Sequence, residues 1–310
     1  MEGPIGSFNI PTPLQYPRHY NCSVTKAEEL LDPLIWCHML TSPMAHLDVS
    51  TLEHFRTHGW VRVCAAFSAE DAAAMCDLIW GALADVGILR DDSSTWTKAR
   101  PEQLQFLKGN PAFHAVGSAR TIGAINEVLE GQPWQRPRDW GAFFLQFPTG
   151  REWDLPITGW HLDGDYTGNL SPPCGVKVHA MLTDVGPRRG GTNILSGSHR
   201  LVHRWFSKNP PARGARGAQL RKSLARHPYL RDLCTAGDPT SRIDRFQDRV
   251  EEVDGIPLQV VENTASAGDV ILMHSLLLHA AAPAAHLGAQ PRFLLNQDIP
   301  VNPLWWAERS

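Results

Sequence analysis

Gly159-Trp160-His161-Leu162-Asp163-Gly164-Asp165 is the stretch on which the reading of this chain turns. His161 and Asp163 are two positions apart, and on a strand such side chains leave the same face. A β-scaffold presents one imidazole and one carboxylate to a single metal ion in this way. A second His from elsewhere would complete a two-His, one-carboxylate set with open coordination positions, an arrangement suited to non-haem Fe(II). His-x-Asp alone is common, and a structural role explains the bare pair equally well. The metal reading therefore needs a third ligand and a cosubstrate anchor downstream.

The surroundings of the pair read as strands. Residues 140–147 (WGAFFLQF) form a strand by aromatic content, ended by Pro148, and Gln146 on it is a candidate pocket residue. Residues 175–183 (GVKVHAMLT) alternate, and a tight turn at Pro187-Arg188-Arg189-Gly190-Gly191 leads into a strand at 192–195. Strands are also predicted at 258–263, 270–278 and 292–297, with a turn at Gly268-Asp269. Upstream, Ser50 with Glu53 reads as a capping box opening a helix to His58. Gly59 stops that helix, and a strand follows at 60–64. Ser68 caps a second helix, and residues 118–130 make a third. Helices first, then about eight strands with short turns, predict a mainly β fold with flanking helices. Its core is a double-stranded β-helix, a jelly roll of the cupin type, whose mouth can hold a small-molecule site.

The domain plan follows. Residues 1–49 are rich in Pro and polar residues and read as an N-terminal arm; 50–310 form one jelly-roll domain, with an inserted lid at about 200–257. Residues 200–250 carry twelve Lys or Arg against four Asp and are predicted to hold two helices, at 217–226 and 229–234. Such a basic run either steers an acidic or phosphate-bearing molecule or is the solvated face of helices. The net charge of −3, with 43% hydrophobic and 20% charged residues, suits a globular protein and gives no sign of a nucleic-acid partner. There is no long apolar run for a membrane span and no secretory leader. The six cysteines are scattered without CxxC, which predicts reduced thiols and a cytoplasmic location. A monomer and a homodimer both remain open.

Two further histidines, His274 and His279, lie in VILMHSLLLH. Five residues apart, they face opposite sides of a regular strand, so without a bulge only one enters a shared site. Arg292 opens the next strand, and a hairpin would set it beside His279. A guanidinium there can hold a carboxylate by two parallel hydrogen bonds.

His-x-Asp, PRRGGTNILSGSHR and GDVILMHSLLLHAA followed by Arg292 together resemble the phytanoyl-CoA dioxygenase group of Fe(II)/2-oxoglutarate-dependent oxygenases. The likeness covers roughly residues 50–300. It implies that His161, Asp163 and His279 bind Fe(II), selecting His279 over His274. It also implies that Arg292 anchors 2-oxoglutarate and that His179 lies against it. O2 is the other cosubstrate, and succinate and CO2 are released. Asp163 stands where related halogenases carry a small residue, so hydroxylation, desaturation or cyclisation is expected rather than halogenation. The hydroxyl residue that the family places shortly after the iron His is Ala281 here, so a second carboxylate contact must come from elsewhere.

Trp160, Asp165 and His274 are second-shell or substrate candidates, each with a plain alternative: packing for Trp160, turn capping for Asp165, core for His274. The expected substrate is a small organic molecule such as an amino acid or a natural-product intermediate. An acyl-CoA hydroxylase is one alternative, and a jelly-roll binding protein that retains its metal is the non-enzymatic one. A hydrolytic zinc enzyme would leave Arg292 unexplained.

Overall fold

Nine strands among the described residues form two antiparallel sheets that face each other. The computed structural model describes residues 46–301 except 102, 103, 165, 167, 169, 213, 214, 216 and 286–289. The strands are Trp60–Val63 (β1), Ala142–Gln146 (β2), Gly175–Met181 (β3), Thr192–Ser196 (β4), Glu251–Val253 (β5), Ile256–Glu262 (β6), Val270–His274 (β7), His279–Ala281 (β8) and Arg292–Pro300 (β9). The larger sheet runs β1-β7-β3-β9-β2 and the smaller β5-β6-β4-β8. This is the mainly β, two-sheet jelly roll that the sequence predicts.

Alternation along the strands sorts the side chains into three layers. Between the sheets lie Met181, Ile271, Met273 and Leu294 of the large sheet with Ile194 of the small one. The outer face of the large sheet carries Val176, Val178, Leu272, Phe293 and Leu295. They pack on the helices Val49–His58 (α1), Ala69–Ala84 (α2) and Ala119–Val128 (α3). Ser68 caps α2, as expected from sequence, and Ser118 caps α3, each accepting from the backbone three residues on. The start of α1 differs from expectation. Its N-cap is Asp48, whose carboxylate accepts from Thr51 N at 2.7 Å, so Ser50 lies inside the helix and the capping box with Glu53 does not form. The helix thus begins inside the segment assigned to the arm. Residues 1–45 of that arm lie outside the described residues.

The outer face of the small sheet is covered by the insert. It holds four helices rather than two: Ser198–Lys208 (α4), Ala218–Leu224 (α5), Pro228–Leu233 (α6) and Pro239–Phe246 (α7). Leu201, Val202 and Phe206 of α4 pack with Leu195, Leu258 and Val260 of the sheet. Burying one such side chain contributes about 2 kcal/mol, which outweighs the weaker helix propensity of His and Ser around them. No described helix is long and apolar enough to cross a membrane.

The apolar run 270–278 departs most from expectation. Only 270–274 is strand, β7; 275–278 turn, and β8 follows in the other sheet, so that β7 pairs with β1 and β3 and β8 with β4. The chain crosses between sheets in a turn where Leu277 N bonds His274 O. The four residues Ser275 to Leu278 gave no sign of that turn, because all of them are buried. The crossing also separates His279 from Arg292. The first belongs to the small sheet and the second to the large one, so they face each other across the barrel rather than standing on neighbouring strands.

Candidate metal centre

His161 and Asp163 are not on a strand. His161 makes an isolated bridge to His279, with each backbone N–H donating to the other's carbonyl at 3.0 Å. Asp163 follows in irregular chain, tied down when Gly164 N donates to Ser275 O at 2.9 Å. A Cβ on Gly164 would come within 2.5 Å of Ser275 Cβ, so only glycine allows that approach. The reciprocal bridge stacks the two imidazoles at 4.3 Å between centroids. One ligand atom from each of His161, Asp163 and His279 falls within 4.8 Å of the others.

The protonation pattern suits a cation. His161 Nδ1 lies 2.7 Å from Gly159 O, and His279 Nδ1 lies 3.0 Å from Leu277 O. A carbonyl only accepts, so each Nδ1 carries the proton and each Nε2 keeps a lone pair. His279 Nε2 faces Asp163 Oδ2 at 3.1 Å, and His161 Nε2 is 3.7 Å from Oδ1. With both rings neutral, two lone pairs and a carboxylate at this range repel unless a proton or a metal ion lies among them. Burial pushes the Asp163 carboxyl up, but His279 and then Lys177 outweigh it and hold it well below the usual range. His161 is held neutral by burial and by neighbouring His279. The oxygen Oδ2 is buried and receives no well-directed hydrogen bond, although Lys177 Nζ is 2.8 Å away. That contact is an ion pair by distance rather than a directed bond, which leaves the oxygen's lone pairs free for a metal.

Inner-face residues of the large sheet surround the triad. His179 is 5% exposed, lies edge-on to His279 at 6.1 Å, and has no partner for Nδ1. Burial first, then Lys177, depresses its basicity well below normal. Further along, Gln146 stands opposite Arg292 in the β2–β9 register. Gln146 is buried, donates to Ala282 O, and leaves Oε1 unpaired. Arg292 is 3% exposed; Nη1 donates to Gly190 O at 2.5 Å and Nε is unpaired. Burial, then Arg100, lowers its pKa to about 9. No carboxylate of the described residues pairs with Arg292. A buried guanidinium without an anion is costly, a cost that a bound carboxylate would offset.

Other sequence candidates fall outside the centre. His274 lies on the outer face of the large sheet, with Nε2 on Leu170 O and Nδ1 accepting from Leu276 N. Trp160 is packed among the insert's apolar residues and donates to Pro156 O at 2.7 Å, which makes it a packing residue. Asp165 lies outside the described residues.

Sequence reasoning missed four residues here. Lys177, Asn296 and Asp298 share the inner face with His179, and alternation through GVKVHAM gave the signal for Lys177. Thr192 stands opposite Ala281 on the inner face of the small sheet, where it offers the hydroxyl that position 281 lacks. A separate surface cleft of about 490 Å³, lined by Trp80, Trp96, Arg90 and Cys76, contains none of the triad. Its only thiol, Cys76, is pushed up to about 12 by burial and is no nucleophile.

Comparison with known proteins gives a family. The family described as Phytanoyl-CoA dioxygenase (PhyH) matches residues 55–292. No curated protein matches the chain. Solved structures similar to it include HygX from Streptomyces hygroscopicus with nickel and 2-oxoglutarate bound. That structure is 18% identical, with 82% of this chain and 87% of that chain covered and a TM-score of 0.49. AviO1 from Streptomyces viridochromogenes is 16% identical over 84% of this chain and 97% of its own, with a TM-score of 0.47. EctD from S. alaskensis in its apoform is 18% identical over 84% and 79%, also with a TM-score of 0.47.

Proposed function

Since the chain belongs to the phytanoyl-CoA dioxygenase family, we propose that it is an Fe(II)/2-oxoglutarate-dependent oxygenase acting on a small organic molecule. The observation that carries this is the convergence of two imidazole lone pairs and one ionised carboxylate from His161, His279 and Asp163. Arg292, buried and lacking an anion, supplies the second half of the reading.

When bound, the metal and cosubstrate supply O2 activation, coupled to conversion of 2-oxoglutarate to succinate and CO2. The protein's share is placement. The His161–His279 bridge fixes two ligands as one unit, and Asp163 completes the set. Arg292 would take the distal carboxylate of 2-oxoglutarate, with Gln146 and Thr192 at its sides and His179 as a neutral, non-competing wall. Asp163 occupies the place a halide would need, so the reading is hydroxylation, desaturation or cyclisation. Phe144 stands half-exposed on the inner face of β2, where it offers an apolar surface to a substrate.

A coenzyme A thioester is not favoured. Much of the insert's positive charge is already engaged, with Arg245 on Asp232 and Glu251, and Arg249 on Asp244. Anaerobic addition of Fe(II) and 2-oxoglutarate should give a weak visible charge-transfer band that Arg292→Ala loses at the same cosubstrate concentration. Iron demonstrably bound with no band, and no succinate formed in air, would sink the proposal.

A further inference from the structure

Of the three ligand side chains, Asp163 has the least support from its own backbone. His161 and His279 lock each other by two reciprocal hydrogen bonds, and each ring is fixed through its Nδ1. Asp163 sits in irregular chain and its buried Oδ2 has no directed donor. Its close neighbour is Lys177 Nζ at 2.8 Å. Lys177 is 4% exposed, in a strand otherwise made of Gly, Val, His, Ala and Met. The ammonium is held from the other side by Asn296 Oδ1 at 2.8 Å and Asp298 Oδ1 at 2.9 Å. The register produces this: Lys177 is opposite Asp298 and His179 opposite Asn296, so both acceptors stand on the inner face of β9. Three acceptors thus surround one ammonium, Asn296 and Asp298 by directed hydrogen bonds and Asp163 by charge.

The geometry points to Lys177 as a positioning residue for Asp163. It holds the carboxylate in the orientation that turns an oxygen toward the two Nε2 atoms. With Asn296 and Asp298 it ties Asp163 to the central strands of the large sheet. The inference rests on the metal-centre reading above. A lysine beside a metal ligand has a second effect of opposite sign, since its charge repels a divalent ion. Asp298 decides between the two. Its carboxylate lies on the same ammonium and offsets that charge, so the orienting effect dominates. Removing Lys177 should therefore weaken metal binding, whereas bare repulsion would make removal strengthen it. Groups that orient metal ligands are typically worth about 10- to 100-fold in affinity.

The test measures Ni(II) and Co(II) affinity of the full metal-free chain by competition with a chromophoric chelator, with thermal unfolding of each protein run alongside. Lys177→Met should bind about 10- to 100-fold more weakly than the parent. Asp298→Asn, at a side chain 47% exposed and so tolerant of change, should shift affinity the same way by less. In an Asp163→Ala background, Lys177→Met should add nothing, because the residue acts through that carboxylate. Equal or tighter binding by folded Lys177→Met overturns the inference. If that variant does not fold, equal or tighter binding by Asp298→Asn does so. An undiminished loss in the Asp163→Ala background also overturns it, since a purely structural role would produce one. A parent protein that binds neither ion instead removes the metal-centre reading, and this inference with it.

Discussion

Two groups of imidazoles lie close to the large sheet, and only one of them gathers around a carboxylate. On the inner side, His161, His279 and His179 gather around Asp163. On the outer side, against α1 and α4, His274 stacks near His199 at 5.0 Å and His54 near His58 at 4.4 Å. The outer nitrogens are largely spent on their own surroundings: His274 on Leu170 O and Leu276 N, His199 Nε2 on Arg56 O, His58 on Ser196 Oγ. No described carboxylate forms an ion pair with His54, His199 or His274. Burial and a high density of His are therefore not what makes a centre. A charged ligand, and lone pairs left free to converge on it, make the difference.

The largest test of that contrast exchanges the two histidines at the ends of one turn. His279→Ala removes a ligand, so metal affinity should fall by more than the roughly 100-fold expected for an outer partner, and succinate formation should stop. His274→Ala leaves the inner face intact. It should keep metal affinity and cost stability by about 1–3 kcal/mol, through unpaired Leu170 O and Leu276 N and the space left behind. Chelator competition and urea unfolding on both proteins check this. A folded His274→Ala protein that cannot bind metal would collapse the distinction.

A smaller effect is read by pH, and the inner His161 and His179, also lowered by burial, act in the same direction. Burial lowers His199 to about 3 and His274 to about 4, while an unfolded His titrates near 6.5. Below about pH 6.5 the unfolded chain takes up these protons and the folded one does not. Stability therefore falls as pH drops, by about 1.4 kcal/mol per pH unit for each group, until the folded values are reached. Above about pH 7 both states are neutral and the two rings contribute no slope. Asp163 acts elsewhere: its depressed carboxyl contributes stability above the ordinary carboxylate range and loses it only in stronger acid. Urea unfolding of the metal-free protein at pH 7, 6 and 5 should show the slope, and His274→Gln should flatten it. A profile flat from 7 to 5 would mean that these rings open to solvent in the folded state.

The inner group was legible in the sequence and the outer group was not, for a physical reason. His161, Asp163, His279 and Arg292 carry their chemistry as side-chain type and order, and these survive without coordinates. Choosing His279 over His274 by strand parity alone was not decisive. The answer came from a turn at Ser275-Leu276-Leu277-Leu278 that moves the chain between sheets, and an all-buried run gives no periodicity to mark it. The partner of Arg292 was hidden too, because its pairing with Gln146 appears only in the β2–β9 register. Lys177 was visible as a lone cation on the face of His179, but its acceptors at Asn296 and Asp298 needed the β3–β9 register. Helices α4 and α7 went unseen because their strings are rich in His, Arg and Ser; their apolar faces appear only against the small sheet.

The smallest effect lies at the start of α1, which forms part of the wall over the outer histidines. Asp48 Oδ1 takes both Thr51 N and Ser50 Oγ at 2.7 Å, whereas Ser50 offers its hydroxyl only to Asp48. Hydrogen bonds from Ser50 and then Thr51 hold the Asp48 carboxyl below its ordinary range, so it is ionised where the helix dipole favours a negative charge. Asp48→Ala should cost about 1 kcal/mol and Ser50→Ala only a few tenths. The loss should loosen α1, whose Phe55 stacks 6.2 Å from His274 and whose Arg56 carbonyl receives His199. It should therefore raise hydrogen exchange in α1 while leaving metal affinity untouched, since no ligand hangs from that helix. Equal costs for the two substitutions would return the cap to Ser50, and a fall in metal affinity for Asp48→Ala would show that the two histidine groups are mechanically joined through the sheet between them.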